Sequence, residues 1–301
     1  MTAAAALLVV NYGSHRLIEE NLARTPMPPD VHVVIVDNFS TDEERAAVAS
    51  SSAASGWTLL MPDANLGFGG GMNLAAEAAI AQGAEILVLL NPDAYIPDGG
   101  LARLVAAAAD ADAMVAPVVV RPDGGHFSSA MEVDLSDGSL RRCVGDRRYA
   151  RSALWASGAC FAIGAELWNR VGGFDDDYFL YWEDVDLSVR VAAAGGRIVI
   201  DDGITAVHSP GGTQGGGRTK SPTYYRFNTR NRLVFAAKHV PPQSQRRWIR
   251  TAPRAAWQIL LRGGRRQFVH PMRTLWPAIR GTWEGWRFLR RSVGRGAAEN
   301  G

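Results

Sequence analysis

The feature that most limits the fold is a series of short apolar runs. Each ends abruptly in polar residues and most are followed by a segment with helical spacing. Residues 6–10 run into Asn11-Tyr12-Gly13, after which Leu17, Ile18 and Leu22 recur at helical intervals over 15–23. Residues 31–36 are β-branched and stop at Asp37-Asn38. Ser40 or Thr41 can cap the helix that follows, with Glu43 and Glu44 in its first turn. Further along, 57–61 reads as a strand, 73–82 as an Ala-rich helix, 85–90 as a buried strand ending at Asn91-Pro92-Asp93, 101–109 as a helix and 114–120 as a strand. Strands that alternate with helices make a mainly parallel sheet covered on both faces. Such sheets bind ligands beyond the carboxyl ends of their strands, which is where the polar clusters at 11–12, 37–38 and 91–93 fall.

The pattern changes after residue 121. Residues 121–150 are polar and irregular with hairpin character, 153–163 are small and apolar, and 174–190 mix aromatics and acids before entering a helix. Residues 197–201 form a late strand, and Ala206-Val207-His208 follows. Residues 210–218 are Gly-rich, and from Tyr224 onward Trp, Phe, Leu and Arg recur at helical spacing. The natural division is a body over 1–223, in two halves that meet at about 120, and a helical extension over 224–301.

Charge divides in the same way. Residues 1–217 carry 13 Lys+Arg against 28 Asp+Glu, whereas 218–301 carry 19 against 2. An acidic body with a basic tail suits chemistry in the first part and an anionic partner for the second. Cys143 and Cys160 are isolated, which argues against a disulfide framework or a structural zinc site and for a reducing, cytoplasmic setting. The opening apolar run lacks a basic leader and reads as a first strand, not a signal peptide. No apolar run reaches the roughly 18 residues of a membrane span.

Several clusters point to chemistry. Asp37 closes a strand, as an Asx-turn residue or as a carboxylate that accepts a pyrimidine N–H. Residues 65–73, Asn-Leu-Gly-Phe-Gly-Gly-Gly-Met-Asn, form a Gly-rich segment that either cradles phosphate or permits close packing. It is not a dinucleotide fingerprint, because Met72 stands where the third glycine belongs. Asp93 follows the strongest buried strand and suits a hard divalent cation, Mg²⁺ or Mn²⁺. Residues 174–190 hold six carboxylates within twelve positions, which repel one another unless a cation, a proton or Arg190 compensates. Their interleaved aromatics suit a sugar site. His208 follows a short β-like run.

Taken in order, VVNYGS at 9–14, VDNFSTD at 36–42, NLGFGGGMN at 65–73, LLNPDA at 89–94, ASGAC at 156–160, VGGFDDDYFLYWEDVDLSVR at 171–190 and HSPGG at 208–212 resemble the family 2 glycosyltransferases. NPD together with the EDVDL segment, and YYRFNTRNRLVF at 224–235, are most similar to the bacterial rhamnosyltransferase branch. The resemblance implies a GT-A fold and inverting transfer from a nucleotide-sugar. Asp184 would be the catalytic base, with Glu183 the alternative. Asn11, Tyr12, Asp37, Asn38, Asn65, Gly67, Asn73, Asn91 and Arg218 would hold the donor, with Asp37 reading the base. Asp93 and His208 would hold Mg²⁺ or Mn²⁺, and Ser157, Gly158 and Trp182 would line the sugar pocket. Many relatives have Asp-x-Asp where this chain has Asn91-Pro92-Asp93, so one carboxylate is missing from the expected metal position.

The implied donor is dTDP-rhamnose, with a UDP-hexose as the alternative. The implied acceptor is a glycan or polyprenyl-diphosphate-linked saccharide in cell-surface polysaccharide synthesis. A non-catalytic nucleotide-sugar-binding module is the rival reading. The Trp- and Arg-rich tail suits peripheral contact with the anionic inner face of the plasma membrane, packing on the body, or a homodimer contact. No nucleic-acid-binding motif accompanies its charge.

Overall fold

The computed structural model describes residues 4–110, 112–128, 130–143, 151–209, 220–264 and 268–298. In chain order its elements are β1 (Ala5–Asn11), α1 (His15–Ala23), β2 (Val31–Asp37), α2 (Asp42–Ser55), β3 (Thr58–Leu60), α3 (Gly67–Ala81), β4 (Ile86–Leu90), β5 (Ala94–Tyr95), α4 (Gly100–Ala107), β6 (Ala113–Val120), β7 (His126–Ser128), β8 (Met131–Asp134), β9 (Leu140–Arg142), β10 (Ser152–Trp155), β11 (Cys160–Gly164), α5 (Ala165–Val171), α6 (Glu183–Ala193), β12 (Arg197–His208), α7 (Pro222–His239), α8 (Pro242–Leu261) and α9 (Pro271–Ala298). They group into two compact units, the first drawn from 1–131, 154–179 and 183–215, the second from 132–153, 180–182 and 216–301.

The first unit is built on a sheet in the order β3-β2-β1-β4-β11-β6-β12-β5, with β7 paired to β6. Strands β3, β2, β1 and β4 run parallel, as do β6 and β12, while β11 runs antiparallel to both β4 and β6. Every residue of β1 is buried, and its alternate side chains enter two separate cores. Ala5, Leu7 and Val9 meet Ile18 and Leu22 of α1, Val48 of α2 and Leu101 and Leu104 of α4. Ala6, Leu8 and Val10 meet Met72 and Ala76 of α3, Leu167 of α5 and Leu187 of α6. A strand covered on both faces has to be apolar throughout, which is why 5–10 carry no polar residue.

Two boundaries differ from the sequence reading, and one alternative is decided. The Gly-rich segment is not a turn leading to a helix at 73, because α3 already begins at Gly67. Gly67 has φ +77°, and a Cβ there would lie 2.2 Å from the Phe179 carbonyl oxygen, so only glycine fits. The two late β segments are one strand, β12, whose register shifts between Asp201 and Thr205. Of the two candidate caps, Thr41 is the one that acts: its Oγ1 accepts the Glu44 N–H at 3.2 Å, leaving Asp42, Glu43 and Glu44 at the positive end of α2.

The second unit contains helices α7, α8 and α9 and most of a small sheet in the order β10-β8-β9. Ser221 caps α7 by accepting the Tyr224 N–H at 3.1 Å. Helix α9 crosses α7 so closely that a Cβ on Gly281 would lie 2.0 Å from the Arg226 carbonyl oxygen. Trp248 of α8 is fully buried, its ring 5.8 Å from that of Phe235, and its Nε1 donates to the Leu135 carbonyl at 3.0 Å.

Candidate active site

The carboxyl ends of the parallel strands bring the first cluster together. Asn11 ends β1 and Asp37 ends β2, and the two are register partners. Asn11 Nδ2 donates to Asp37 Oδ1 at 2.9 Å, and Arg45 Nε donates to Asp37 Oδ2 at 2.8 Å. Asp37 is fully buried, a placement an ionised carboxylate tolerates only with such partners. Asn38 N–H donates to the Asn11 carbonyl, and the Asn38 side chain donates to the Gly67 carbonyl at 2.6 Å while accepting the Leu66 N–H. The Asn65 side chain accepts the Gly67 N–H at 2.8 Å, and the Phe68 N–H goes to the Phe179 carbonyl. Donors at the start of α3 are therefore already committed, and its glycines pack. Tyr12, by contrast, is 51% exposed at the rim.

Asn73 serves a different purpose from the expected one. Its side chain both donates to and accepts from the Phe174 backbone, each at 2.8 Å, and so ties α3 to the acidic, aromatic segment. That segment is orderly at close range. Asp175 accepts the Asp177 N–H at 2.9 Å, and Arg190 Nε donates to the buried Asp186 at 2.7 Å. Arg190 thus offsets part of the repulsion among the six carboxylates.

Glu183 and Asp184 open α6. Glu183 is buried and its Oε2 has no hydrogen-bond partner. Burial, and then the neighbouring charge of Asp184, push its carboxyl well above the usual range, which favours its protonated form. Asp184 is partly exposed. Its Oδ2 accepts the Gly158 N–H at 2.9 Å and its Oδ1 accepts the Val185 N–H at 2.9 Å. Burial raises it to about 6, and those N–H donors restrain the rise. Ser188, one turn on, donates to the Asp184 carbonyl at 2.7 Å and accepts the Ala156 N–H at 3.2 Å. Ser157 Oγ accepts the Ala159 N–H at 3.3 Å, and the Ala159 carbonyl in turn accepts the Asn91 N–H at 3.0 Å. This backbone link joins the Asp184 loop to the Asn91-Pro92-Asp93 turn.

In that turn, Asp93 Oδ1 lies 2.9 Å from His208 Nε2, and both side chains are buried. Antiparallel pairing of His208 with Ala94 brings them together, the Ser209 N–H donates to the Asp93 carbonyl, and Phe127 packs edge-on at 4.6 Å from the His208 ring. Asn21 Nδ2 holds the Pro92 carbonyl at 2.9 Å. A carboxylate and an imidazole are donor types that Mg²⁺ or Mn²⁺ accepts, and here the two are joined directly to each other by a hydrogen bond. No group of three or more His, Cys, Asp or Glu among the described residues is arranged to hold a metal.

Comparison with known proteins supplies the family. The profile of the family described as "Glycosyltransferase like family 2" matches residues 3–257. The chain belongs to glycosyltransferase family 2. The N-acetylglucosaminyl-diphospho-decaprenol L-rhamnosyltransferase of Mycobacterium tuberculosis (strain CDC 1551 / Oshkosh) is 47% identical over 45 residues, 15% of this chain and 15% of that protein. The rhamnosyltransferase WbbL of Escherichia coli (strain K12) is 37% identical over 54 residues, 18% of this chain and 20% of that protein. The chain thus matches about a fifth or less of the length of these relatives. A mannosyltransferase from Pyrobaculum calidifontis, solved in complex with GDP-Man and Mn²⁺, superposes with a TM-score of 0.56 at 20% identity, covering 98% of this chain and 87% of that one. The shared architecture is the GT-A fold of the family 2 enzymes.

Of the expected site residues, Asn11, Asp37, Asn38, Asn65 and Gly67 form one network, Asp93 and His208 a second, and Gly158 and Asp184 a third. Trp182 lies in the second unit, where it and Tyr181 both adopt left-handed backbone angles, φ +75° and +67°. Bulky residues rarely do so, and each such residue costs about 1–3 kcal/mol. Asn231 of α7 holds this segment by donating to the Leu180 and Tyr181 carbonyls at 2.9 and 2.7 Å, and Phe235 packs 5.5 Å from the Trp182 ring. Arg218, with the Gly-rich stretch around it, lies outside the described residues. Arg45, Asn21, Ser188 and Asn231 escaped the sequence reading. Only Ser188 carried a signal, standing four residues after Asp184 in a helical segment.

Proposed function

We propose that this protein is an inverting glycosyltransferase that moves a deoxyhexose, L-rhamnose from dTDP-rhamnose, onto a glycan or a lipid-linked saccharide in cell-surface polysaccharide synthesis. The observation that carries the reading is the carboxylate pair opening α6. One member is buried and pushed well above the usual carboxyl range, and the other is raised to about 6 and aimed by two backbone N–H groups. A general base works best with a pKa near working pH and a fixed orientation. In this reading Asp184 takes the proton of an acceptor hydroxyl as that oxygen attacks the anomeric carbon. The bond to the nucleoside diphosphate breaks and configuration inverts.

Asn11, Asp37 and Asn38 would organise the nucleotide end of the site. With both its oxygens already engaged, Asp37 supports the strand ends as well as any base it reads. Asp93 and His208 would hold Mg²⁺ or Mn²⁺, which, when bound, offsets negative charge on the leaving diphosphate. The Mn²⁺ in the mannosyltransferase complex lends this support. Rhamnose as the donor sugar rests on the two short rhamnosyltransferase matches, and a diphosphate-linked acceptor rests on the name of the mycobacterial relative.

The test is nucleotide release from dTDP-rhamnose and from UDP-hexoses with Mn²⁺ and a N-acetylglucosaminyl-diphospho-prenol acceptor. Release from dTDP-rhamnose that depends on acceptor is expected. Acceptor-dependent release from a UDP-hexose alone would replace the donor, and no release from any donor would refute transfer.

Peripheral membrane contact is part of the same proposal. Met272, Trp276, Ile279 and Trp283 are all at least half exposed and recur along one face of α9, and Arg287 lies over the Trp283 ring at 4.5 Å. Aromatic and apolar side chains flanked by arginine suit an anionic interface. No helix among the described residues is long and apolar enough to cross a membrane. Flotation with phosphatidylglycerol vesicles should be lost in W276A/W283A. Equal flotation of the variant and wild type would remove this face from the proposal.

A further inference from the structure

The second unit contains a cavity of about 390 Å³, within the range of small-molecule sites. Arg141, Arg232, Arg254 and Arg262 line it, with Trp182 at one wall and Asp137 as the one carboxylate among its described lining residues. The lining charge is thus four positive against one negative. Arg141 is paired to Asp134 at 3.2 Å. Arg254 and Arg262 are exposed and make no ion pair among the described residues. Together with Thr251, Ala255 and Gln258 they recur along the cavity-facing side of α8 and its C-terminus, so one helix face is committed to this wall.

Arg232 is the most informative of the four. It is 3% exposed, and its guanidinium donates to neutral acceptors, the Trp248 carbonyl at 3.0 Å, the Thr251 hydroxyl at 2.8 Å and the Asp137 carbonyl. It also stands over the Trp248 ring at 4.9 Å. No carboxylate lies within ion-pair distance of it among the described residues. A buried arginine held in place without a counter-ion is costly unless an anion arrives. Burial pulls its pKa down to about 10, so it stays charged at neutral pH. The Asp137 carboxylate, held below its usual range chiefly by the Ser139 hydroxyl and N–H and then by Arg141 and Arg232, only partly offsets this charge.

We propose that this cavity binds the diphosphate of a prenyl-linked acceptor, a site separate from the one that holds the donor. Arginine forks match phosphate oxygens in pairs, and four arginines line this one cavity. This assignment rests on the transferase reading, whereas the anion site itself does not.

The test is titration of the full chain in EDTA, which leaves the donor side without metal, using farnesyl diphosphate, inorganic diphosphate and inorganic phosphate. Wild-type protein and Asp93→Asn should bind farnesyl diphosphate equally. R254Q/R262Q, changed only at exposed positions, should bind it at least about tenfold more weakly, the loss of charge-assisted bonds worth about 1.4 kcal/mol or more. Farnesyl diphosphate should bind more tightly than either inorganic ion. Equal binding by wild type and R254Q/R262Q, or loss in Asp93→Asn, would overturn the site. Phosphate binding as tight as farnesyl diphosphate would reduce it to a simple ion site and overturn the acceptor assignment. Failure of donor turnover in wild type would refute the transferase reading and with it the acceptor assignment, while the titration would still decide the anion site.

Discussion

Asp184→Asn separates two consequences of one desolvated carboxylate. Burial raises Asp184 from 3.8 to about 6, against the pull of the Gly158 and Val185 N–H groups. A carboxyl whose folded pKa exceeds its unfolded one contributes stability that is complete below about 3.8 and lost as pH rises through about 6. At pH 7.5 the ionised group therefore costs the fold up to about 3 kcal/mol, at about 1.36 kcal/mol per pH unit, and about 1 kcal/mol once partial solvent screening is allowed for. Asparagine keeps an oxygen to accept the Gly158 N–H and removes the charge. The variant should melt about 2–4 °C above wild type at pH 7.5, and that gap should narrow to about half at pH 5, where the folded carboxyl is mostly protonated but the unfolded one is still ionised, closing only below about 3.8. Transfer should fall about 10²–10⁴-fold. In the wild type, transfer should rise about tenfold from pH 5 to pH 7, as the ionised fraction of a group at about 6 goes from about 9% to about 91%. Calorimetry at both pH values and initial rates with labelled donor read these outcomes. A variant less stable than wild type at pH 7.5, transfer retained within tenfold, or a flat rate between pH 5 and 7 would each refute the reasoning.

Glu183→Gln keeps the shape of a carboxyl that burial pushes toward its protonated form, so transfer rates should stay within a few-fold of wild type, and a collapse comparable to Asp184→Asn would move the base to Glu183. Asp93→Asn should weaken Mn²⁺-dependent nucleotide binding by about tenfold or more and leave metal-free binding unchanged, as read by titration; equal affinities with Mn²⁺ would free the metal from this residue. Gly67→Ala demands a Cβ 2.2 Å from the Phe179 carbonyl oxygen at φ +77°, so its denaturation midpoint should drop by the equivalent of about 2 kcal/mol or more, and an unchanged midpoint would show that the start of α3 can move aside.

Strand positions were legible because burial on both faces leaves a strand no polar residue. β1 and β4 are apolar throughout and stop at polar residues, so their ends could be read directly. The antiparallel course of β11 between β4 and β6 was not legible, since a short apolar run carries no direction. The start of α3 was misplaced for a related reason. Four glycines in five residues argue against a helix by propensity, yet the close approach of Phe179 to Gly67 is a tertiary contact with no local trace.

The site residues divide on the same principle. Asp93 and Asp184 stood out because carboxylates after a buried strand, or in a crowded acidic run, require an explanation from charge alone. Arg45 and Asn231 did not, because a cation or amide in a helix looks like any solvated residue until its partner is placed. Asn231 shows what this hides. It donates to the two carbonyls that precede Trp182, and the left-handed angles of Tyr181 and Trp182 lead straight into Glu183-Asp184. Strain of about 1–3 kcal/mol per residue persists only where neighbours over-determine the backbone, and here the neighbours are an amide and two aromatic contacts supplied by α7. The helical extension that the charge pattern separated from the body is therefore also the element that fixes the backbone leading into the proposed base.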